Sequence, residues 1–126
     1  MTLEEWANRY IVQERPIGTV LDDDVIHAQA LAAANYYGGY QGLAAHAALD
    51  AVPPIDADTD ITAGEWAIIR RLFVLYTERE NAMYLESSRA LGLDVYGRAT
   101  SEVSADIAAF EAEIPHAAFY SPIITV

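Results

Sequence analysis

The sequence predicts a mainly α fold: a small helical bundle with one long central helix and an extended C-terminal tail. Three observations carry that expectation. An apolar pattern of helical period runs without interruption from Ala63 to Leu91. Two capping boxes, Thr2-Leu3-Glu4-Glu5 and Thr62-Ala63-Gly64-Glu65, mark helix starts, because a Thr hydroxyl and a Glu three residues later can satisfy each other's backbone amides. The last residues, Phe119-Tyr120-Ser121-Pro122-Ile123-Ile124-Thr125-Val126, are β-branched, aromatic and broken by proline. They suit an extended segment better than a helix. The length, 126 residues, suits a single domain, 1–126. Within it, 52–61 reads as a linker between two helical halves and 117–126 as the tail.

Each element has a local reason. The first helix carries Trp6, Tyr10 and Gln13 on one side and ends at Arg15-Pro16-Ile17-Gly18, since proline disfavours helix at the residue before it. Asp22-Asp23-Asp24 opens a second helix, where acids favour the positive end of the macrodipole and offer a cap. Val25 to Tyr37 is rich in alanine and should stop at Gly38-Gly39. Small residues at Ala28, Ala32 and Ala33 would let another backbone come close. Leu43 to Leu49 reads as a further helical turn or two. Val52-Pro53-Pro54-Ile55 and the alternating acids Asp56, Asp58 and Asp60 read as linker.

The segment from Ala63 to Leu91, with Gly92 as its stop, would be about 43 Å long at about 1.5 Å per residue. Trp66, Ile69, Phe73, Tyr76 and Met83 form its stripe, widened by Leu72. A fourth helix, capped by Thr100 or Ser101, carries Val103, Ile107, Phe110 and Ile114, and Pro115 should close it. The apolar tail that follows either folds back on its own domain or pairs with another chain.

Composition narrows the function. There are 19 acids against 7 bases, a formal net charge of -12, no cysteine and no lysine. Every base is an arginine. Thiol chemistry, disulfides and cysteine-based metal sites are excluded. General binding to a nucleic-acid backbone is disfavoured, because it depends on neutralising phosphates with Lys and Arg. Hydrophobic residues make up 53%, which argues against global disorder. No basic n-region with a following apolar stretch begins the chain, and no stretch reaches the ~20 apolar residues that a bilayer requires. A soluble intracellular protein without membrane contact is expected.

No motif points to catalysis, a cofactor or a metal. Asp56, Asp58 and Asp60 match the first ligand positions of a calcium loop, but Ile61 and Ala67 stand where Gly and Glu are required. His46 and Asp50 make only half a metal site, and His27 and His116 lie in other segments. Gly38-Gly39-Tyr40-Gln41-Gly42 lacks phosphate-loop spacing, and no G-x-S-x-G occurs. Glu78 and Glu80 point to different sides of a helix, which suits ion pairing with Arg70, Arg71 and Arg79 better than paired acid–base work.

Two segments together carry a resemblance. Leu21-Asp22-Asp23-Asp24-Val25-Ile26, continuing through Ala32-Ala33-Ala34-Asn35-Tyr36-Tyr37 to Gly38, resembles the acidic turn and alanine-rich helix of tailed-bacteriophage head–tail connector (adaptor) proteins. Ile69 to Asn81, with Leu72, Leu75, Tyr76, Glu78, Arg79 and Glu80, is similar to that family's following long helix. Val52–Asp60 and Tyr96–Val126 lie outside the likeness.

The resemblance implies a virion protein of the neck, present in the host cytoplasm during assembly. It would be a non-enzymatic ring, a dodecamer in the particle, that sits beneath the portal, extends the DNA channel and joins head to tail. Its partners would be itself, the portal protein, and a tail or further connector protein, with DNA passing through unbound. The expected subunit or portal interface is Arg70, Arg71, Tyr76, Glu78, Arg79, Glu80, Phe119, Tyr120, Ile123, Ile124 and Val126. No particular acids are assigned to the channel. The alternatives are an acidic inhibitor that mimics DNA and a helical interaction module of unknown partner.

Overall fold

The first turn of α1 (Leu3–Arg9) shows how the chain is tied together. The amides at a helix start have no partner inside the helix. Here each finds one. The Glu5 amide donates to the Thr2 hydroxyl (3.2 Å), and the Thr2 amide donates to the Glu5 carboxylate (3.0 Å), completing the predicted capping box. That bond from the Thr2 amide holds the Glu5 carboxyl below its usual pKa. The Leu3 and Glu4 amides donate to the Thr59 and Ala57 carbonyls, at 2.9 and 3.0 Å. The structure, a computed structural model, describes residues 1–47, 52–89 and 100–120, with side chains through 87 and over 100–114. Among these residues all regular structure is helical.

The segment expected as a linker is therefore a strap across the start of α1. Its last residue, Ile61, is fully buried, donates its amide to the Met1 carbonyl (2.8 Å) and accepts from the Trp6 indole (2.9 Å). Trp6 and Trp66 stack with centroids 5.6 Å apart. α1 continues into a π-helical turn, Tyr10–Glu14, closed by the Arg15 amide on the Tyr10 carbonyl. Tyr10 is buried edge-on against Phe73, whereas Gln13 faces solvent.

α2 spans Asp23–Gln41 and runs through the glycine pair that was expected to stop it. Gly38 is there for contact: a Cβ would lie 2.7 Å from the Ile55 side chain. The stop is Gly42, whose φ of +66° suits glycine. Asp22 occupies the cap position, but its side chain makes no capping bond. Ala30, Ala33 and Ala34 are buried, while Ala28 and Ala32 are exposed. After α2 comes one 3-10 turn, Ala44–His46; the remainder of the helical stretch expected to Leu49 lies outside the described residues.

α3 (Ala63–Arg89) packs against α2 and α4 and supplies the centre of the core: Ile69, Leu72 and Phe73 are fully buried. Its capping box forms, and the second oxygen of Glu65 accepts the Ala44 amide (2.9 Å). The predicted stripe holds through Tyr76, but Met83 is exposed. The buried line passes to Ala82 instead, because the loop after the π-turn covers that side of α3. Gly92, the expected stop, lies outside the described residues.

α4 spans Thr100–Tyr120 and buries Val103, Ile107, Phe110 and Ile114 as predicted. Two expectations fail. The Thr100 hydroxyl caps nothing; the Thr100 amide donates to Glu86 of α3 (2.8 Å). Pro115 does not close the helix, which continues for five more residues. Proline lacks the amide that would bond the Glu111 carbonyl, and the Tyr36 hydroxyl of α2 donates to that carbonyl (3.1 Å). Residues 117–120, expected in the tail, are thus helical, and 121–126 lie outside the described residues.

The two helical glycines make opposite demands. Gly39→Ala meets nothing within 4 Å and should stabilise the protein by about 0.5–1 kcal/mol. Gly38→Ala should gain clearly less, because Ile55 must move. Thermal melts of the two variants check this; equal gains would mean that the close approach is immaterial.

Candidate assembly surface

The arginines of α3 make contacts beyond the ion pairing expected with Glu78 and Glu80. Arg70 reaches across to the π-turn and donates twice to Glu14, at 2.6 and 3.0 Å. Both partners are more than a third exposed, so the pair adds at most about 1 kcal/mol. The Arg71 guanidinium lies 4.5 Å from the centre of the Phe110 ring of α4, and Arg79 lies 5.1 Å from that of Tyr76. Arginine faces suit such stacking. Arg71 is exposed and Arg70, Glu78, Arg79 and Glu80 are half-buried on α3.

Tyr76 is different. It is buried, and its hydroxyl donates to the Glu111 carboxylate at 2.5 Å. Its ring is core rather than contact surface. Burial first, and then the bond to Glu111, push its pKa well above the usual tyrosine value. Phe119 and Tyr120 fall on the last turn of α4; their side chains, and Ile123, Ile124 and Val126 entirely, lie outside the described residues.

The surface that sequence reasoning missed is apolar. Between the π-turn and α2 the chain makes a loop held by one side chain of α3: Asn81 accepts from the Val20 amide (2.7 Å) and donates to the Gly18 carbonyl (3.2 Å). Gly18 takes φ +96°, which glycine alone adopts readily. So held, the loop presents Ile17 fully to solvent and leaves Val20 54% exposed. Met83 and Tyr84 follow Asn81 on α3, 46% and 52% exposed. Under the loop is a cavity of about 240 Å³ lined by Tyr10, Ile17, Val74, Glu78, Ala82 and Leu85, among others. An apolar residue between proline and glycine, at a turn that should be polar, was the available signal.

The other candidate groups serve structure. Asp56 accepts from the Asp58 amide (2.9 Å) and the Thr59 hydroxyl (3.3 Å), closing a local turn. His27 is within 2.8 Å of Asn8, linking α1 and α2. His46 is half-buried, and Asp50 lies outside the described residues. Among the described residues no three His, Asp or Glu side chains are placed to hold a metal ion, and no helix is long and apolar enough to cross a membrane.

No family model, no curated protein and no solved structure matches the chain. The surface has to be interpreted from its own chemistry.

The Tyr76–Glu111 bond has a pH signature. A phenol whose pKa is raised by folding lends stability that is fully present below the unfolded value, about 10, and is lost as pH rises above it. The stability of the protein should fall steeply above about pH 10. Tyr76→Phe should flatten that fall in part, leaving the shares of Tyr10 and Tyr37, whose pKa values burial also raises. Urea unfolding at stepped alkaline pH checks it; an unchanged slope in the variant would remove the role assigned to Tyr76.

Proposed function

We propose that the chain is a structural subunit of a tailed-bacteriophage particle, a head–tail connector that forms a ring beneath the portal, extends the DNA channel and joins head to tail. It catalyses no reaction. The observation that carries the reading is the placement of Ile17, Val20, Met83 and Tyr84 on the outside of a well-packed helical subunit. Ile17 and Val20 share the loop held by Asn81, and an exposed apolar loop on such an acidic chain marks contact with other proteins. The order of the acidic-start helix α2 and the long helix α3 supports the family resemblance.

The charge fits the same role. Glu4, Glu5, Asp22, Asp23, Asp24, Asp56, Asp58 and Asp60 are all exposed. Carboxylates facing a bore would repel phosphates and let the duplex slide. Arg70 and Arg71 stand on the outer side of α3, where a neighbouring carboxylate can pair with a planar guanidinium. A ring built from one chain needs two different faces per subunit.

A second reading, an inhibitor that mimics DNA, is favoured by one observation. Glu4, Glu5, Asp56, Asp58 and Asp60 gather around the start of α1, where the strap crosses it.

Light scattering and negative-stain microscopy of the full chain, alone and mixed with the portal ring of the same particle, separate the two. The connector predicts rings on the portal. It also predicts that Ile17→Asp weakens ring formation while changing stability by no more than about 0.5 kcal/mol. A monomer that ignores the portal and displaces DNA from a basic protein would establish the mimic instead.

A further inference from the structure

We infer that residues 16–20 form a lid over the cavity, latched by Asn81, that swings open while the helices stay folded and bares the apolar lining beneath. The inference goes beyond the ring reading, since it holds for a free subunit whatever its partners.

Burial contributes little to closure. Pro16, Ile17, Gly18 and Val20 are exposed, and Thr19 is half-buried. The buried side chains nearest in sequence are Tyr10 in the π-turn and Leu21 just before α2. What closes the lid is polar. Among the described residues, Asn81 is the one side chain that hydrogen-bonds the segment, accepting from the Val20 amide (2.7 Å) and donating to the Gly18 carbonyl (3.2 Å). Both bonds are exposed, so water competes for the same groups and the net gain from each is small. The Arg15–Asp23 pair (3.1 Å) ties the two feet of the loop together. Opening therefore forfeits few contacts, the condition under which a segment opens far more often than the whole protein unfolds.

Gly18 permits the closed form. Its carbonyl is the one that Asn81 holds, and its φ is +96°. A Cβ there would meet nothing within 4 Å, so a side chain would add backbone strain and no clash.

The lid has something to cover. Pro16, Ile17, Gly18 and Thr19 form one wall of the cavity, and Tyr10, Val74, Ala82 and Leu85 supply apolar lining on the others. Tyr10 and Ala82 are buried with the loop in place. With the loop swung out, that lining joins Ile17 and Val20 in facing water. A partner that contacts the bared lining shifts the equilibrium toward the open form. Asn81 thus sets how much apolar surface a free subunit shows.

The chain has no cysteine, so a single thiol can report the opening. Ala82→Cys places one under the lid, and Ala30→Cys places one on the buried face of α2, outside the cavity. With a thiol-reactive disulfide reagent in excess, Ala82→Cys should be labelled roughly 100-fold faster than Ala30→Cys, at a rate that dilute urea does not change. Added to Ala82→Cys, Gly18→Ala should speed labelling roughly tenfold through backbone strain. Asn81→Asp, which keeps the size of the side chain and loses the donor to Gly18, should speed it by about the same factor. Circular dichroism checks that each variant is folded. Equal rates for the two thiols, both rising with urea, would mean that the cavity opens only on unfolding and would overturn the inference. Fast labelling of Ala82→Cys that neither added substitution alters would mean that the reagent passes a closed loop, and would overturn it as well. Hydrogen exchange of the unsubstituted chain reads the same motion: protection of the Val20 amide well below that of the Phe73 amide in α3 supports the lid, and equal protection contradicts it.

Discussion

The amides at the start of α1 cannot bond within their own helix, and meeting that demand organises the subunit. The carbonyls of Ala57 and Thr59 answer them. In doing so they bring the strap, and with it Ile61 and the start of α3, against residues at the other end of the sequence. The Trp6–Trp66 stack and the Tyr10–Phe73 contact then follow along one seam. With α1 and the π-turn placed on α3, the next loop has little choice of path, and Asn81 fixes it. The exposed Ile17 and the cavity beneath it are the outcome of that chain of constraints.

A second constraint places α4. Pro115 leaves the Glu111 carbonyl without its helical donor, and Tyr36 of α2 supplies one. The Glu111 side chain accepts from Tyr76 of α3. One residue of α4 is thereby joined to both other long helices. The bond from Tyr36 lets the helix pass through a residue that would otherwise break it, at a site where a lost hydrogen bond costs about 0.5–1.5 kcal/mol or more.

What the sequence made legible was local. Both capping boxes formed because Thr and Glu three residues apart need only each other. The stripe Val103, Ile107, Phe110 and Ile114 was buried because its spacing matches a helix that faces one neighbour. What escaped depended on partners distant in sequence. Gly38 looked like a stop because its contact with Ile55 lies in a segment that reads as linker. Pro115 looked like a stop because Tyr36, its remedy, is 79 positions earlier in the chain. The strap looked like a linker because prolines and alternating acids hide the carbonyls that matter. The arginines stand on α3 as expected, but the rings of Phe110 and Tyr76 beneath Arg71 and Arg79 could not be read from the sequence, since Phe110 belongs to another helix and the Tyr76 contact depends on side-chain placement.

In this account the polar chemistry of the chain is turned inward, to hold helices together, and its surplus of acid outward, with a small apolar surface left for partners. The proposed function places such a protein in an assembly rather than free in the cell. If the proposed function holds, a phage encodes the chain, and quantitative mass spectrometry of that phage's purified particles tests the proposal most directly. The account predicts the chain in every particle, in a fixed multiple-copy ratio to the portal. Its absence from particles, with the protein abundant in infected cells, would contradict a structural role and favour the DNA mimic.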